Sequence, residues 1–269
     1  MILAIDIGGT KTLVALADKA GKVTSQQKFP TPEKYKDFLR EIENIVANFS
    51  TPYKVTIVAA PGKIDRKNGV GLLFGNLKWK NVPLQKDLSA ITKTPVLIDN
   101  DANLAGLGET IKLKPRPHKC LYLTFSTGIG DGIITDGIID PDFADSEAGK
   151  MLFEHNGELQ EWEAFGSGRA IVAKYGKMAS EINEPETWNE ISKSFSLGIV
   201  NLCSIIEPDL IIIGGSVGTH FQKYSKFLIN NSKNIANKMV TIPPIIQAQH
   251  PETAVIYGCV ELAKQKNLA

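Results

Sequence analysis

The sequence predicts an α/β protein built from two similar halves, and three observations carry that expectation. Apolar runs of strand length alternate with amphipathic segments of helical period. A strand–glycine turn–strand pattern at the start of the chain recurs past its middle. Between the two copies lies Lys114-Pro115-Arg116-Pro117, where two prolines in a short span, each preceded by a base, read as an extended connector. With 269 residues and 43% hydrophobic content the chain can bury a sizeable core, and length alone allows one large domain or two small ones.

The first half opens with strand-like runs at 2–6, 12–17 and 22–29. Gly21-Lys22 turns between the last two, which predicts an antiparallel meander. Thr31-Pro32-Glu33 is a helix entry signal, a hydroxyl cap followed by proline at the first helical position. Tyr35, Phe38, Leu39, Ile42, Ile45, Val46 and Phe49 then keep helical spacing. Strands are expected at 54–59 and 95–99, and the segment between them reads as loop-rich. It holds Ala60-Pro61-Gly62 and Gly75-Asn76-Leu77-Lys78-Trp79.

The second half repeats the opening. Cys120 to Phe125 is a strand, Thr127-Gly128-Ile129-Gly130 a turn, Gly132 to Thr135 a second strand, and Asp136-Gly137 a turn into Ile138-Ile139. Helices are expected after Ser167-Gly168, from the capping-box pattern Thr187-Trp188-Asn189-Glu190, and from near Thr219. The last of these follows the strand Leu210 to Ile213 and Gly214-Gly215-Ser216. Residues 252–266 read as a helix packing back on the first half, so the expected division is 1–115 completed by 252–269, and 116–251.

Composition excludes several classes. The formal net charge is +1, from 30 basic and 29 acidic residues with no basic block, so nucleic acid and anionic membranes are not expected partners. Cys120, Cys203 and Cys259 are far apart and odd in number, fitting neither a disulfide framework nor a zinc spacing. They read as buried thiols of a reducing compartment. No signal-like start and no apolar run of membrane-spanning length is present, so a soluble, cytoplasmic protein is expected.

Two segments carry chemistry. In Asp6-Ile7-Gly8-Gly9-Thr10-Lys11-Thr12 a tight turn between strands would gather backbone N–H groups, a hydroxyl and an ammonium, with Asp6 able to reach a phosphate-bound Mg²⁺. An ordinary hairpin would use the same residues. In Val96-Leu97-Ile98-Asp99-Asn100-Asp101-Ala102-Asn103 a buried strand runs into a polar turn and a helix, at the sheet edge where α/β proteins usually bind ligands. Helix capping by Asn100 or Asp101 is the simpler use of that turn. One cap is enough for one helix, however, and four polar side chains crowd there, so a carboxylate accepting a sugar proton is the alternative.

Together these motifs resemble the ROK family of sugar kinases, within the hexokinase and actin superfamily. Asp6 to Lys11 resembles the first phosphate motif, Thr127 to Gly130 the second, Ile213-Gly214-Gly215-Ser216 the adenosine motif, and Asn100-Asp101-Ala102-Asn103 the segment with the catalytic aspartate. Ala60-Pro61-Gly62, Asn76 to Leu84 and Glu163 to Ile171 resemble the sugar-site segments, in the expected order. The resemblance implies two duplicated ribonuclease-H-like lobes, each a ββαβ-type sheet flanked by helices, with an interlobe cleft. It implies an ATP-dependent hexose kinase, glucokinase-like, with Asp101 as general base and Mg²⁺ supported by Asp6. Gly8, Gly9, Thr10, Lys11, Thr127, Gly128 and Gly130 would hold phosphates, and Gly214, Gly215 and Ser216 the adenosine. Gly62, Asn76, Asn100, Asp101, Glu147 and Glu163 would bind the sugar. A homodimer is expected from the same resemblance. Fructokinase, mannose or N-acetylhexosamine kinase and polyphosphate-dependent glucokinase stay open beside it. So does a non-catalytic sugar-binding regulator, against which stand Asp6 and Asp101, whereas a transcription regulator with an N-terminal DNA-binding domain is not expected, because the first strand begins at residue 2.

The chain departs from that family in two places. Many relatives carry a histidine and three cysteines around a structural zinc, whereas here the segment reads Ser146-Glu147-Ala148-Gly149-Lys150-Met151, with Lys150 where the histidine would sit. No cysteine lies between Cys120 and Cys203, so no structural zinc is expected, and His155 reads as a solvated turn residue. In the second phosphate turn Ser126 and Asp131 stand where glycine is usual. Asp131 is expected to face solvent, because a carboxylate beside phosphate would repel it.

Overall fold

The computed structural model describes residues 1–251 and 253–269. They fall into two compact units, Met1–Ile111 with Glu252–Ala269, and Lys112–Pro251.

The first unit starts with β1 (Ile2–Ile7), β2 (Lys11–Ala17) and β3 (Val23–Pro30), followed by α1 (Tyr35–Ala47) and β4 (Val55–Ala60). Next come β5 (Lys63–Asp65), β6 (Val70–Phe74), β7 (Leu77–Val82), α2 (Leu84–Thr92), β8 (Val96–Asn100) and α3 (Asp101–Thr110). The main sheet has the order β3-β2-β1-β4-β8, antiparallel across β3, β2 and β1 and parallel from β1 to β8. Alternation in β1 sends Leu3, Ile5 and Ile7 into one core with Phe38, Ile42 and Ile45 of α1 and Leu84 and Leu88 of α2.

Two expectations are corrected here. The segment read as loop-rich holds a three-stranded antiparallel sheet, β5-β6-β7, as well as α2. Trp79 anchors it: the indole is buried, donates to the Glu33 carbonyl at 3.0 Å and packs on Phe38 and Phe74 with ring centres 4.8 and 5.2 Å away. Thr31 does not cap α1, whose first turn begins four residues later after Lys34. Its hydroxyl instead donates to the Gly8 carbonyl at 2.8 Å and lies 2.9 Å from the Thr12 hydroxyl, so it braces the first glycine turn.

The second unit repeats this topology. Its strands are β9 (Lys119–Phe125), β10 (Ile129–Thr135), β11 (Ile138–Ile139), β12 (Leu152–His155), β13 (Glu158–Glu161), β14 (Leu210–Gly214) and β15 (Ile245–Gln247). Its helices are α4 (Trp162–Gly166), α5 (Gly168–Tyr175), α6 (Pro185–Ile206), α7 (Gly215–Gly218) and α8 (Phe221–Ile235). The order β11-β10-β9-β14-β15 has the same antiparallel-then-parallel pattern as the first sheet. Leu121, Leu123 and Phe125 of β9 and Ile211 and Ile213 of β14 bury against Trp188, Phe195 and Ile199 of α6 and Tyr224 and Leu228 of α8. Thr187 does not open α6; Pro185 occupies its first turn, the position where a missing N–H costs nothing.

The expected C-terminal helix is α9 (Ala254–Gln265); residue 252 lies outside the described residues. It belongs to the first unit and packs along α3 and on β1 and β4. The α3–α9 crossing depends on two glycines. A side chain on Gly258 would collide with the Leu104 carbonyl, and one on Gly108 with the Ala254 carbonyl. Cys120, Cys203 and Cys259 are all buried. Among the described residues no helix is long and apolar enough to cross a membrane.

Candidate functional site

The parallel register of the first unit gathers its predicted site residues at one sheet edge. Asp6 pairs with Ala59, Ala59 with Asp99, and Ala60 with Asn100, so the carboxyl ends of β1, β4 and β8 lie side by side. From these ends come the Gly8–Thr10 turn, Pro61-Gly62 and the first turn of α3. The Gly8 N–H donates to the Lys11 carbonyl at 3.0 Å, and a side chain at Gly8 would stand 2.6 Å from that oxygen. Gly9 lies against Asn76, whose Cβ would be 3.5 Å from a side chain there. Thr10, Lys11 and Asn76 are exposed. Gly62 has φ +83°, the left-handed region that favours glycine, and its carbonyl accepts from Asn100 Nδ2 at 3.3 Å.

Asn100 is the cap of α3, with Oδ1 accepting the Ala102 and Asn103 N–H groups at 2.8 and 3.3 Å. Asp101 is thereby released from capping, though one of its oxygens accepts the Ala102 N–H at 2.9 Å. Burial raises its carboxyl pKa, opposed by that hydrogen bond. Burial and then the Asp101 charge push Asp6 up to about 7, against a smaller lowering by Lys28. Sequence reasoning missed the support beneath this pair. Asp99 is buried, with Oδ1 accepting from Arg66 Nη2 at 2.8 Å, the Asn100 N–H at 2.7 Å and Asn103 Nδ2 at 3.2 Å. Arg66 sits in the short β5–β6 connection, which carries no motif to announce it.

In the second unit Gly214 pairs with Thr124, so the turn after β9 and the start of α7 share one sheet edge. Gly215 has φ +79°, and a side chain on it would meet the Thr124 hydroxyl at 2.6 Å. A cavity of about 430 Å³ opens there, lined by Ser126, Thr127, Arg169, Ser216, Thr219 and His220 among others. It thus brings together Thr127 and Ser216, taken from two separate motifs. Gly130 lies within β10 rather than at the turn's tip.

Asp131 is buried, correcting the expectation that it faces solvent. It accepts the Ala148 N–H at 2.7 Å and a hydrogen bond from the Ser146 hydroxyl, gripping the loop on both sides of Glu147. Burial raises its pKa and these two bonds oppose the rise. Glu147 itself is exposed. Glu163, in the first turn of α4, reaches the glycine turn: Oε2 accepts the Ile129 N–H at 3.3 Å, and Oε1 lies 2.7 Å from Lys150 Nζ and 3.8 Å from Arg169 Nη2. Lys150 also bonds Glu161 at 2.8 Å, and the two bonds raise its pKa. His155 is half-buried rather than solvated, its ring stacked on Phe165 with centres 4.2 Å apart. Among the described residues no group of three or more His, Cys, Asp or Glu side chains is arranged to hold a metal.

Comparison with known proteins places this geometry in context. A family model described as the ROK family matches residues 2–266. A glucokinase of Streptomyces coelicolor is 23% identical, the match covering 98% of each chain. A xylose repressor of Caldicellulosiruptor bescii is 26% identical over 76% of this chain and 61% of its own. Among solved structures, a ROK family glucokinase from Streptomyces griseus in complex with glucose and AMPPNP superposes with a TM-score of 0.85 at 23% identity, covering 98% of this chain and 99% of that one.

Proposed function

The chain belongs to the ROK family, and from that premise we propose that it transfers the terminal phosphoryl group of ATP to a hexose hydroxyl, glucose giving glucose 6-phosphate before other sugars. The observation that carries this reading is the Asp6–Asp101 pair beside the Gly8–Thr10 turn: two carboxylates of raised pKa at one sheet edge. Asp101 is the general base. A carboxylate whose affinity for a proton has been raised by burial is a better acceptor for a sugar hydroxyl than a solvated one.

Asp6 fits a magnesium ion brought in by the nucleotide. Burial, and then repulsion from Asp101, disfavours its bare carboxylate, which a cation would offset, and magnesium held by phosphates and water needs only one or two protein carboxylates. When bound, the ion would offset the negative charge of the phosphate oxygens. Gly9, Thr10 and Lys11, and in the second unit Thr127, Gly128 and Gly130, would donate to phosphate, while Gly8, its N–H given to the Lys11 carbonyl, would shape the turn. Gly214, Gly215 and Ser216 would take the adenosine, a role suited to the cavity that Ser216 shares with Thr127. Gly62, Asn76, Asn100, Glu147 and Glu163 would meet the sugar. A site of fixed donors and acceptors rejects analogues lacking a hydroxyl, because the partner is left unpaired.

The test is ADP release measured over glucose, mannose, fructose and N-acetylated hexoses, with polyphosphate as a second donor read by sugar-phosphate formation. Turnover fastest on glucose with ATP supports the reading; no turnover on any sugar with either donor overturns it. Similarity to the xylose repressor favours a second reading, a sugar-sensing regulator. Sugar binding without turnover would select that one.

A further inference from the structure

Glu163 is held at both oxygens, and the group on the far side is a lysine. Oε2 accepts the Ile129 N–H of the second glycine turn, and a side chain on Gly128 would stand 2.5 Å from it, so glycine at 128 is what admits the carboxylate. Oε1 is bound by Lys150 Nζ at 2.7 Å, and the same ammonium holds Glu161 at 2.8 Å. Lys150 ends the short 3-10 turn Ala148–Lys150, whose first N–H is fixed by the buried Asp131. The lysine therefore ties three elements to one carboxylate: the 3-10 turn, the end of β13 and the start of α4.

We propose that Lys150 is a positioning residue for sugar binding, fixing the plane of the Glu163 carboxylate so that its free lone pairs meet two neighbouring hydroxyls of the substrate. This rests on the reading of the protein as a hexose kinase. A carboxylate offers about four acceptor sites, and the Ile129 N–H and Lys150 occupy one on each oxygen. Arg169 Nη2, 3.8 Å from Oε1, is too far to hydrogen-bond, so one acceptor site remains on each oxygen, a spacing suited to a vicinal diol. With the backbone bond alone the side chain could still pivot about Oε2. The second, charge-assisted bond removes that freedom before the sugar arrives. An ion pair whose lysine is half exposed adds little to folding. Its effect falls on binding.

The experiment compares Lys150→Met and Lys150→Arg with the native protein, measuring kcat and KM for sugar and for ATP beside thermal unfolding. In Lys150→Met the sugar KM is expected to rise about tenfold, with kcat and the ATP KM within about twofold, the pattern of lost uniform binding. Lys150→Arg, which keeps a cation within reach of both carboxylates, is expected to recover most of that loss. A sugar KM within twofold of native in Lys150→Met overturns the proposal while native turnover leaves the kinase reading standing. Equal rises in both KM values with a lowered Tm and no recovery by arginine also overturn it, since that is the mark of a structural role. Absence of turnover by the native protein sinks the kinase reading, and this proposal with it.

Discussion

Replacing Asp6 by asparagine is expected to stabilise the ligand-free protein, and only above mildly acidic pH. The folded protein keeps the Asp6 proton until about pH 7, whereas an ordinary aspartate gives it up near 3.8. Native stability is therefore intact below pH 3.8, falls as pH rises through that window, and carries the whole penalty above 7. A gap of roughly three pH units is worth up to about 4 kcal/mol, at about 1.36 kcal/mol per unit. Asp6 keeps some contact with solvent, which brings the expected gain to about 1–2 kcal/mol. At about 2–4 °C per kcal/mol for a protein of this size, Asp6→Asn should melt roughly 2–8 °C higher at pH 8. At pH 4 the two curves should coincide. Scanning calorimetry across that range, without nucleotide or divalent cation, measures both. An Asp6→Asn protein no more stable than native at pH 8, or equally favoured at pH 4, would refute the reasoning that this carboxylate is strained by burial and by Asp101.

Asp101→Asn should lower kcat by at least ~10²-fold, the scale of a lost general base, with sugar binding retained by calorimetry; near-native turnover would remove Asp101 from that role. Gly258→Ala should destabilise the protein despite the gain of about 1 kcal/mol that alanine brings to a helix. Its methyl meets the Leu104 carbonyl, which is backbone and cannot step aside, so a net loss of about 1–3 kcal/mol is expected in urea unfolding. A neutral result would show that α9 can shift along α3 without cost.

Much of the fold was legible because its strands are apolar runs and its turns are punctuated by glycine. The two hairpins at Asp6–Thr12 and Thr127–Gly130 could be matched by eye, and the sheets built on them share one strand order. The sheet β5-β6-β7 escaped because its strands are short, Gly71 interrupts β6, and the one alternating run, Leu77-Lys78-Trp79-Lys80 in β7, is brief. Thr31-Pro32 looked like a cap since the local pattern fits one. What redirects that hydroxyl is a turn 23 residues earlier, which no local window contains. The same limit hid the site's supports. Arg66 reaches Asp99 across 33 residues and Asp131 reaches Ala148 across 17, each through a tertiary fold that places a charged group beside backbone or opposite charge. The candidate site residues announced themselves by type; the residues that hold them in place did not.

The placement of α9 sets the order in which this chain can become a protein. The second unit is one uninterrupted stretch, Lys112–Pro251, and all of it is available to fold as soon as it leaves the ribosome. The first unit is not. Its β1, β4 and α3 are synthesised early, yet the helix that covers them is translated only after the entire second unit. During that interval α3, β4 and β1 lack the helix that packs on them. The half made first is thus the half completed last, and a nascent chain of this design would be most vulnerable to holding factors or proteases along its earliest strands.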